Sequence, residues 1–198
     1  MLTALNTIEN SYISRGLSPV AGIDEAGCGP LAGPVIAYAV ILPPGYVIEG
    51  VNDSKKLSEK RRRELAARIK TEALAYAYGI VDVPTIEAIN ILQARLLAMQ
   101  TAVADLQIAP KIALVDGNRL PALPCEAVCI KEGDSASHSI AAASILAKVH
   151  RDAIMLELHE KYPVYGFDKH KGYGTKVHRE AIVQYGLCPA HRRSFCHV

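Results

Sequence analysis

Several carboxylates in this sequence occur where short apolar stretches give way to glycine-rich segments. Asp24 and Glu25 stand side by side in VAGIDEAGCGPLAGP, residues 20–34. Asp116 closes IALVD before a glycine, and Asp134 follows CIKEG ahead of an alanine-rich stretch. In open α/β sheets, sites lie in the crevice beyond the strand ends. The pattern therefore predicts that these acids converge on one site.

Convergence of carboxylates would favour a particular chemistry. Carboxylates within about 4–6 Å of one another disfavour each other's ionised forms unless a cation lies between them. Ligand sets made only of oxygen select hard ions, so we expect Mg²⁺ or Mn²⁺ rather than zinc. Such ions support phosphodiester hydrolysis, in which one ion activates water and a second stabilises the leaving oxygen. A metal-dependent nuclease is the function that this pattern favours.

Each acid also has a purely structural interpretation. Asp before Gly is a common turn residue, and for Asp116 taken alone this is the favoured interpretation. For Asp134, capping of the following helix is as good an interpretation as metal binding. Adjacent side chains of a strand point to opposite faces, so we expect the first strand to end at Glu25 if Asp24 and Glu25 share an ion.

The elements that must position these acids alternate between strand-like and helix-like periods. We expect strands at 20–24, 34–42, 75–83, 111–116 and 126–131, and helices at 57–74, 84–106, 137–161 and 177–185. Ser58 is the expected cap of the first of these helices. This order predicts an α/β layered domain with a mixed sheet and helices packed on it.

Composition excludes several classes of protein. The net charge is only +2, so the chain is no polybasic tail protein, and no apolar run reaches the roughly 18 residues that span a bilayer. No signal peptide is visible at the amino end, and five cysteines without paired spacing suit reduced thiols in the cytoplasm. The glycines around Cys28 match neither the dinucleotide fingerprint nor a phosphate loop. The spacing of Cys188, His191, Cys196 and His197 is irregular for a zinc module, so we expect no metal there.

Taken together, the motifs resemble the bacterial ribonucleases HII of the type 2 ribonuclease H family. The matching segments are DEAGCGPLAGPV, NDSKKLSEKRR, LVDGN, GDSASHSIAAASILAKVHRD, YPVYGFDKHKGYGT and HRRSF, in this order from about residue 20 to 195. The resemblance implies a ribonuclease H-like three-layer α/β fold, with a central mixed sheet flanked by helices and a small helical C-terminal part. It implies one domain over 1–198, with a catalytic core at about 18–161 and a substrate-binding loop, helix and tail at 162–198.

The resemblance also implies an activity. The family cleaves the RNA strand of RNA–DNA hybrids and incises duplex DNA 5′ to embedded ribonucleotides, leaving a 3′-hydroxyl and a 5′-phosphate. Asp24, Glu25, Asp116 and Asp134 match its catalytic metal ligands, which implies Mg²⁺ or Mn²⁺ as cofactor, with two ions when substrate is bound. The expected partners are hybrid and ribonucleotide-containing duplexes, and the expected state is a cytoplasmic monomer without membrane association.

Substrate-binding residues carry over in the same way. Gly27, Cys28 and Gly29 match a loop that reads the ribose 2′-hydroxyl largely through backbone groups, Lys55 matches a lysine of the active-site rim, and Tyr173 matches a tyrosine that stacks on the sugar. From their charge, a set of basic residues is expected to contact backbone phosphates: Lys55, Lys56, Lys148, Lys169, Lys171, Arg192 and Arg193.

Cys28 departs from the family pattern, which has arginine at this position. A cysteine supplies neither the five donors nor the permanent charge of a guanidinium, so substrate affinity or junction discrimination is in doubt. Two alternatives to the ribonuclease stay open: a non-catalytic hybrid-binding module, and a DNA nuclease or resolvase on a similar fold. The complete set of four acids favours catalysis. A Cys28 thiolate nucleophile is disfavoured, because no histidine precedes residue 138 to act as its base.

Overall fold

The computed structural model describes residues 6–52 and 54–196. At its centre lies a five-stranded sheet in the order β3-β2-β1-β4-β5. The strands are β1 (Val20–Ala26), β2 (Val35–Ile41), β3 (Ala75–Val81), β4 (Ile112–Asp116) and β5 (Glu126–Ile130). β1 pairs antiparallel with β2, and β2 with β3, whereas β4 runs parallel to both β1 and β5. The sheet is therefore mixed, as predicted.

Helices occupy both faces of the sheet and the C-terminal part. They are α1 (Thr7–Ile13), α2 (Glu59–Glu72), α3 (Val83–Ala104), α4 (Gly133–Ala136), α5 (His138–Lys161), α6 (Phe167–His170) and α7 (Lys176–Tyr185). Short 3₁₀ turns lie at Ser54–Lys56, Pro163–Tyr165 and Arg193–Phe195. The sequence predicted α2, α3, α5 and α7 but not α1, α4 and α6, whose four to seven residues carry too short a pattern to be distinguished from a loop.

The layers follow from the alternation along β2, all of whose residues are buried. Ile36 and Tyr38 pack with α2 and α5 on one face, whereas Val35 and Ala37 pack with α3 on the other. The small residues at the start of α5 allow it to lie directly on β1. A Cβ added to Gly22 would stand only 2.1 Å from the backbone carbon of Ser139, so this approach requires glycine.

Serine residues cap the helices on either side of the predicted site. Ser58 accepts a hydrogen bond from the amide of Arg61 (3.3 Å), which confirms it as the cap of α2. Ser137 accepts from the amide of Ile140 (3.3 Å) and caps α5. Asp134 lies within α4 instead, so the capping role considered for it is wrong.

The C-terminal part packs against the loop between β1 and β2. Leu31 and Ala32 of that loop join Met155, Phe167 and Ile182 in one apolar cluster. The tail also binds the loop through its backbone. The amide of Gly33 donates to the carbonyl of Ala190, and the amide of Arg192 donates to that of Leu31, both at 2.8 Å.

Two further predictions concern the described residues as a whole. None of the helices within 6–52 and 54–196 combines the length and apolarity that a membrane span requires. The cysteines Cys28, Cys125, Cys129, Cys188 and Cys196 are all free thiols, as the unpaired spacing predicted.

Candidate active site

Three of the predicted acids meet at the end of the sheet. Asp24, Glu25 and Asp116 each offer a carboxylate oxygen, and these oxygens lie within 4.8 Å of one another. They lie in a cleft of about 230 Å³ that is also lined by Gly27–Gly29, Lys55 and Tyr173. The convergence inferred from strand ends therefore holds for these three residues.

Asp24 and Glu25 reach the same point from opposite faces of β1. The strand does not end at Glu25, as the sequence analysis required, but continues to Ala26, with Asp24 opposite Tyr38 and Glu25 opposite Ala37 of β2. Asp24 therefore lies on the α5 face and Glu25 on the α3 face. Both can still converge because the parallel pairing of β1 with β4 stops at Ile23, three residues before the end of the strand. Beyond that point the edge of the strand is open.

The electrostatics of the three acids call for a cation. Burial raises the pKa of Asp24 well above its usual value, and the charges of Glu25 and Asp116 raise it further. Burial also raises the pKa of Glu25 and of Asp116, although Arg95 opposes the shift at Glu25 and the Gly133 amide opposes it at Asp116. Buried carboxylates that present only oxygen fit a hard divalent ion, which would restore their ionised forms.

Arg95 is the site residue that sequence reasoning missed. Its Nε lies 3.0 Å from Oε2 of Glu25, and its Nη2 donates to the backbone carbonyl of Asp116 at 2.7 Å. Arg95 is carried by α3, which is broken at Asn90 (φ 67°), where the Asn90 side chain accepts from the amide of Gln93 at 3.1 Å. An asparagine inside an apolar helical pattern was the available signal, because its side chain can cap a new helical segment.

Asp134 lies beside the triad rather than within it. Its Oδ2 is 3.2 Å from Nζ of Lys55, and its side chain is buried. Its charge contributes to the raised pKa of Asp116, so it acts electrostatically on the site. That Asp134 is a fourth metal ligand stays a prediction.

Gly27 and Gly29, on either side of Cys28, differ in the space that surrounds them. Gly27 has φ 104°, and a Cβ added there would lie 2.3 Å from Nε of Arg151, so the chain's own packing demands glycine. At Gly29 the nearest atom to an added Cβ would be a ring carbon of Tyr173 at 3.8 Å. Only Gly29 thus leaves open space on the cleft side, toward the ring of Tyr173.

The Cys28 thiol is not poised for nucleophilic attack. Its Sγ donates to Oε1 of Glu25 at 3.4 Å. Burial, followed by the charge of Glu25, raises its pKa to about 12. The thiol is therefore protonated at neutral pH, in agreement with the prediction that it does not act as a thiolate.

Arg192 was expected to contact phosphates, and this prediction is wrong. Its side chain is fully buried and directs its donors at backbone carbonyls of the 27–33 loop. The acceptors are Gly33 at 2.9 and 2.7 Å, Gly27 at 2.6 Å, Pro30 at 3.0 Å and Cys28 at 3.1 Å. Arg151 is likewise buried and donates to the carbonyls of Pro34, Lys171 and Ala32. Both arginines hold the loop from within.

The remaining predicted substrate residues border the cleft. Tyr173 is half-exposed, and the Lys55 side chain is 81% exposed at the rim. Lys148 also lines the cleft, where its Nζ lies 2.6 Å from Oδ1 of Asp152 in the next turn of α5. The structure thus brings Tyr173, Lys55 and Lys148 around the acidic triad.

Up to Cys196, where the description ends, the cysteine- and histidine-rich tail forms no comparable site. Cys188 Sγ lies 3.1 Å from Nδ1 of His191, and Cys196 Sγ is turned to the carbonyl of Leu31. Among residues 6–52 and 54–196, the acidic triad is the only group of three or more potential ligands close enough to hold a metal. His197 lies outside the described residues.

Comparison with known proteins decides the family. The ribonuclease HII family model matches residues 21–198. The chain belongs to the ribonuclease HII family. A ribonuclease HII of Dechloromonas aromatica is 60% identical over 178 residues, which cover 89% of this chain and 90% of the relative. A ribonuclease HII of Nitrosomonas europaea is 57% identical over 189 residues, covering 95% and 87%.

Solved structures agree on the fold. The crystal structure of ribonuclease H2 from Pyrococcus horikoshii OT3 matches with a TM-score of 0.73 and 29% identity over 88% of this chain and 92% of that one. The predicted ribonuclease H-like fold and the resemblance to ribonuclease HII are confirmed. Family membership makes the chain a nuclease and supports endoribonuclease activity on RNA–DNA hybrids with a divalent metal. It leaves no support for the non-catalytic binding module.

Proposed function

We propose that this ribonuclease HII hydrolyses the RNA strand of RNA–DNA hybrids and also incises duplex DNA 5′ to a single embedded ribonucleotide. The products are a 3′-hydroxyl and a 5′-phosphate. The catalytic and metal-binding residues are Asp24, Glu25, Asp116 and Asp134. The observation that carries the proposal is the set of three carboxylate oxygens within 4.8 Å in a cleft bordered by the glycine loop and Tyr173.

The chain fixes each acid before substrate arrives. Oδ1 of Asp24 accepts from the amide of Glu25 at 2.7 Å, and Oδ1 of Asp116 accepts from the amide of Gly133 at 2.7 Å. The ion pair with Arg95 holds Glu25. Two Mg²⁺ or Mn²⁺ ions bound there would supply an activated water and stabilise the leaving oxygen. Orientation of the acids by backbone amides favours catalysis because little rearrangement is needed during the reaction.

The glycine loop supports recognition of ribose. Arg192 occupies the carbonyls of Gly27 and Cys28 from behind. Among the described residues, no backbone carbonyl accepts from the amides of Cys28 or Gly29. Amides without a partner beside a cleft suit an acceptor such as the 2′-hydroxyl, the group that distinguishes RNA from DNA. Recognition through the backbone would survive the neutral Cys28 side chain.

Tyr173 and two lysines complete the proposed substrate site. The half-exposed ring of Tyr173 lies across from Gly29, where it can stack on the sugar at the DNA–RNA junction. Lys55 and Lys148 border the same cleft and would contact backbone phosphates. Phosphate contacts of this kind position the duplex without reading its sequence.

A nicking assay with three matched duplexes tests the proposal. The duplexes are an RNA–DNA hybrid, a DNA duplex with one ribonucleotide and an all-DNA duplex, each assayed with Mg²⁺, with Mn²⁺ and with EDTA. We expect metal-dependent cutting of the first two, with cleavage 5′ to the ribonucleotide, and background activity in Asp24→Asn and Asp116→Asn. Equal cutting of the all-DNA duplex would contradict the ribose-reading claim, and metal-independent cutting would contradict the role of the acids.

A further inference from the structure

Histidines surround the base of the loop that carries Tyr173, and the proposed function leaves them unused. His178 at the start of α7 and His191 in the tail are buried, with exposed fractions of 0% and 2%. His170, at the end of α6, stacks on the ring of His178 with centroids 4.4 Å apart. Buried imidazoles are costly unless their nitrogens find hydrogen-bond partners.

The partners of these rings fix the position of each proton. The amide of Cys188 donates to Nδ1 of His191 at 3.0 Å, so that nitrogen carries no proton and Nε2 does. Nδ1 of His178 lies 2.8 Å from the carbonyl of Tyr173, which can only accept, so this nitrogen carries the proton. The two Nε2 atoms are 3.1 Å apart. His191 must therefore donate to His178, and both rings must be neutral.

The same loop is held on its other side. His170 Nδ1 accepts from the amide of Gly172 at 3.2 Å, and the carbonyl of Gly172 accepts from the amide of Leu31 at 2.9 Å. Both backbone groups of Gly172, its amide and its carbonyl, are thus held by hydrogen bonds. The Tyr173 carbonyl accepts from the amide of Thr175 at 2.8 Å, and Nδ1 of His178 is its second donor.

We propose that His178 and His191 are positioning residues that set Tyr173 against the substrate sugar through a one-way relay. The relay runs from the Cys188 amide through His191 and His178 to the Tyr173 carbonyl. A proton added to either ring would place two donors face to face and break it. The inference rests on the proposed role of Tyr173 at the ribose.

The surroundings keep the rings neutral. Burial lowers the pKa of His178 from its usual 6.5 to about 4, outweighing the hydrogen bond to the Tyr173 carbonyl, and the positive charge of Arg179 lowers it further. Burial also lowers the pKa of His191, which faces Cys188 and, through ring contacts, Tyr165. At neutral pH the relay is therefore intact.

Two substitutions at His178 separate positioning from packing. His178→Asn keeps an N–H donor near Nδ1, whereas His178→Leu removes it. With the single-ribonucleotide duplex in Mg²⁺, we expect His178→Leu to raise KM about tenfold, the size of one lost hydrogen bond, with kcat within about twofold. We expect His178→Asn to restore most of that KM. The matched control is Ile182→Ala, which loosens the same apolar cluster without touching the relay and should leave KM unchanged.

The outcomes distinguish this inference from the proposed function. If KM is unchanged in His178→Leu but raised in Tyr173→Ala, the relay is wrong and the proposed function stands. The same conclusion follows if KM rises as much in Ile182→Ala as in His178→Leu. KM unchanged in Tyr173→Ala would overturn the sugar contact and the relay with it. Ring ¹⁵N NMR shifts of the wild-type protein give a readout that needs no variant. We expect the Nδ1–H tautomer for His178 and the Nε2–H tautomer for His191, and any other assignment rejects the relay.

Discussion

Asp24 is almost completely buried, yet its nearest charged neighbours are the carboxylates of Glu25 and Asp116. Hydrogen bonds from the Glu25 amide and Ser144 offset only part of this cost. In the absence of a cation, the ionised form of Asp24 therefore destabilises the folded protein. A bound divalent ion reverses the sign of the interaction, so folding and metal binding are linked at this residue.

Replacement of Asp24 by asparagine should remove this destabilisation of the metal-free protein. Asn has nearly the same shape and can keep the bond to the Glu25 amide, but it carries no charge. In EDTA at neutral pH, we expect Asp24→Asn to raise the free energy of unfolding by about 1–2 kcal/mol, a gain typical of relieved strain in active sites. Urea unfolding measures it. Mg²⁺ should raise the Tm of the wild type and leave that of the variant nearly unchanged.

The pH dependence gives a second check on the same variant. A carboxyl group whose pKa is raised on folding contributes stability below its usual pKa of 3.8 and loses it as pH rises through the raised value. Metal-free wild type should therefore lose stability relative to Asp24→Asn as the pH rises above about 4. A constant difference over this range would contradict the raised pKa.

At the scale of single residues, types and spacing predicted the acids but not their neighbours. Asp24, Glu25 and Asp116 stood out together because the ends of several strands meet at one edge of the sheet. Arg95 did not, because its approach to Glu25 depends on the break in α3 at Asn90, which turns the second part of the helix. A helical period alone cannot reveal that turn.

At the scale of elements, one buried side chain, Arg192, makes most of the arginine hydrogen bonds that hold the loop at 27–33. Arg192 gives it five hydrogen bonds, all to backbone carbonyls. The planar fork of a guanidinium suits several acceptors at once, whereas a lysine offers a single nitrogen. The shape of the loop is thus set by a residue from the far end of the chain.

Arg192→Lys should accordingly be a severe substitution. We expect the free energy of unfolding to fall by about 2–4 kcal/mol, because several charged hydrogen bonds are lost at a buried position. Thermal or urea unfolding measures the change. The control is Arg193→Lys at the exposed neighbouring position, which should change stability by less than about 0.5 kcal/mol. Similar losses of stability in both variants would contradict the role of Arg192 in holding the 27–33 loop.

Element boundaries were predictable where periodicity was strong. The expected strands at 75–83 and 126–131 differ from β3 and β5 by one or two residues at their ends. The end of β1 was misjudged at Glu25, because adjacent side chains of a regular strand point to opposite faces and were expected to diverge. The pairing of β1 with β4 ends at Ile23, whereas its pairing with β2 continues to Ala26. This difference allows both acids to reach the site.

At the scale of the whole molecule, the net charge is only +2, so binding to a polyanion depends on a few local cations. Of the basic residues expected to contact phosphates, Arg192 is buried. Lys148 is paired with Asp152, and Lys171 is turned to the carbonyl of Asp168. The electrostatic surface for duplex binding is therefore smaller than composition alone implied.

The salt dependence of duplex binding should reflect this. At most six of the expected cations remain, and each phosphate contact adds about 0.9 to the slope of log K against log salt. We expect a slope no steeper than about −5 for the single-ribonucleotide duplex, measured by fluorescence anisotropy with Asp24→Asn to prevent cleavage. Arg192→Lys should leave the slope unchanged, and a slope near −8 would require a further basic surface.

Long-range contacts limited prediction at this scale. Glu9, in the unpredicted α1, accepts from the hydroxyls of Ser137 and Ser139, and Arg192 reaches Gly27 across 165 positions of sequence. Neither partner has a local pattern that points to the other. The alternation of strand and helix patterns predicted the layered domain and the family resemblance its ribonuclease H-like fold, but the side chains that hold the layers together emerge only when the chain is packed.

The placement of Asp24 and Glu25 on opposite faces of β1 has a consequence for when activity first arises. Asp24 is set by the layer containing α5, and Glu25 by Arg95 of α3 on the other side. A nascent or partly unfolded chain in which only one helical layer has docked on the sheet holds only one of these two carboxylates in place. We therefore expect nucleolytic competence only in chains in which both helical layers have docked on the sheet.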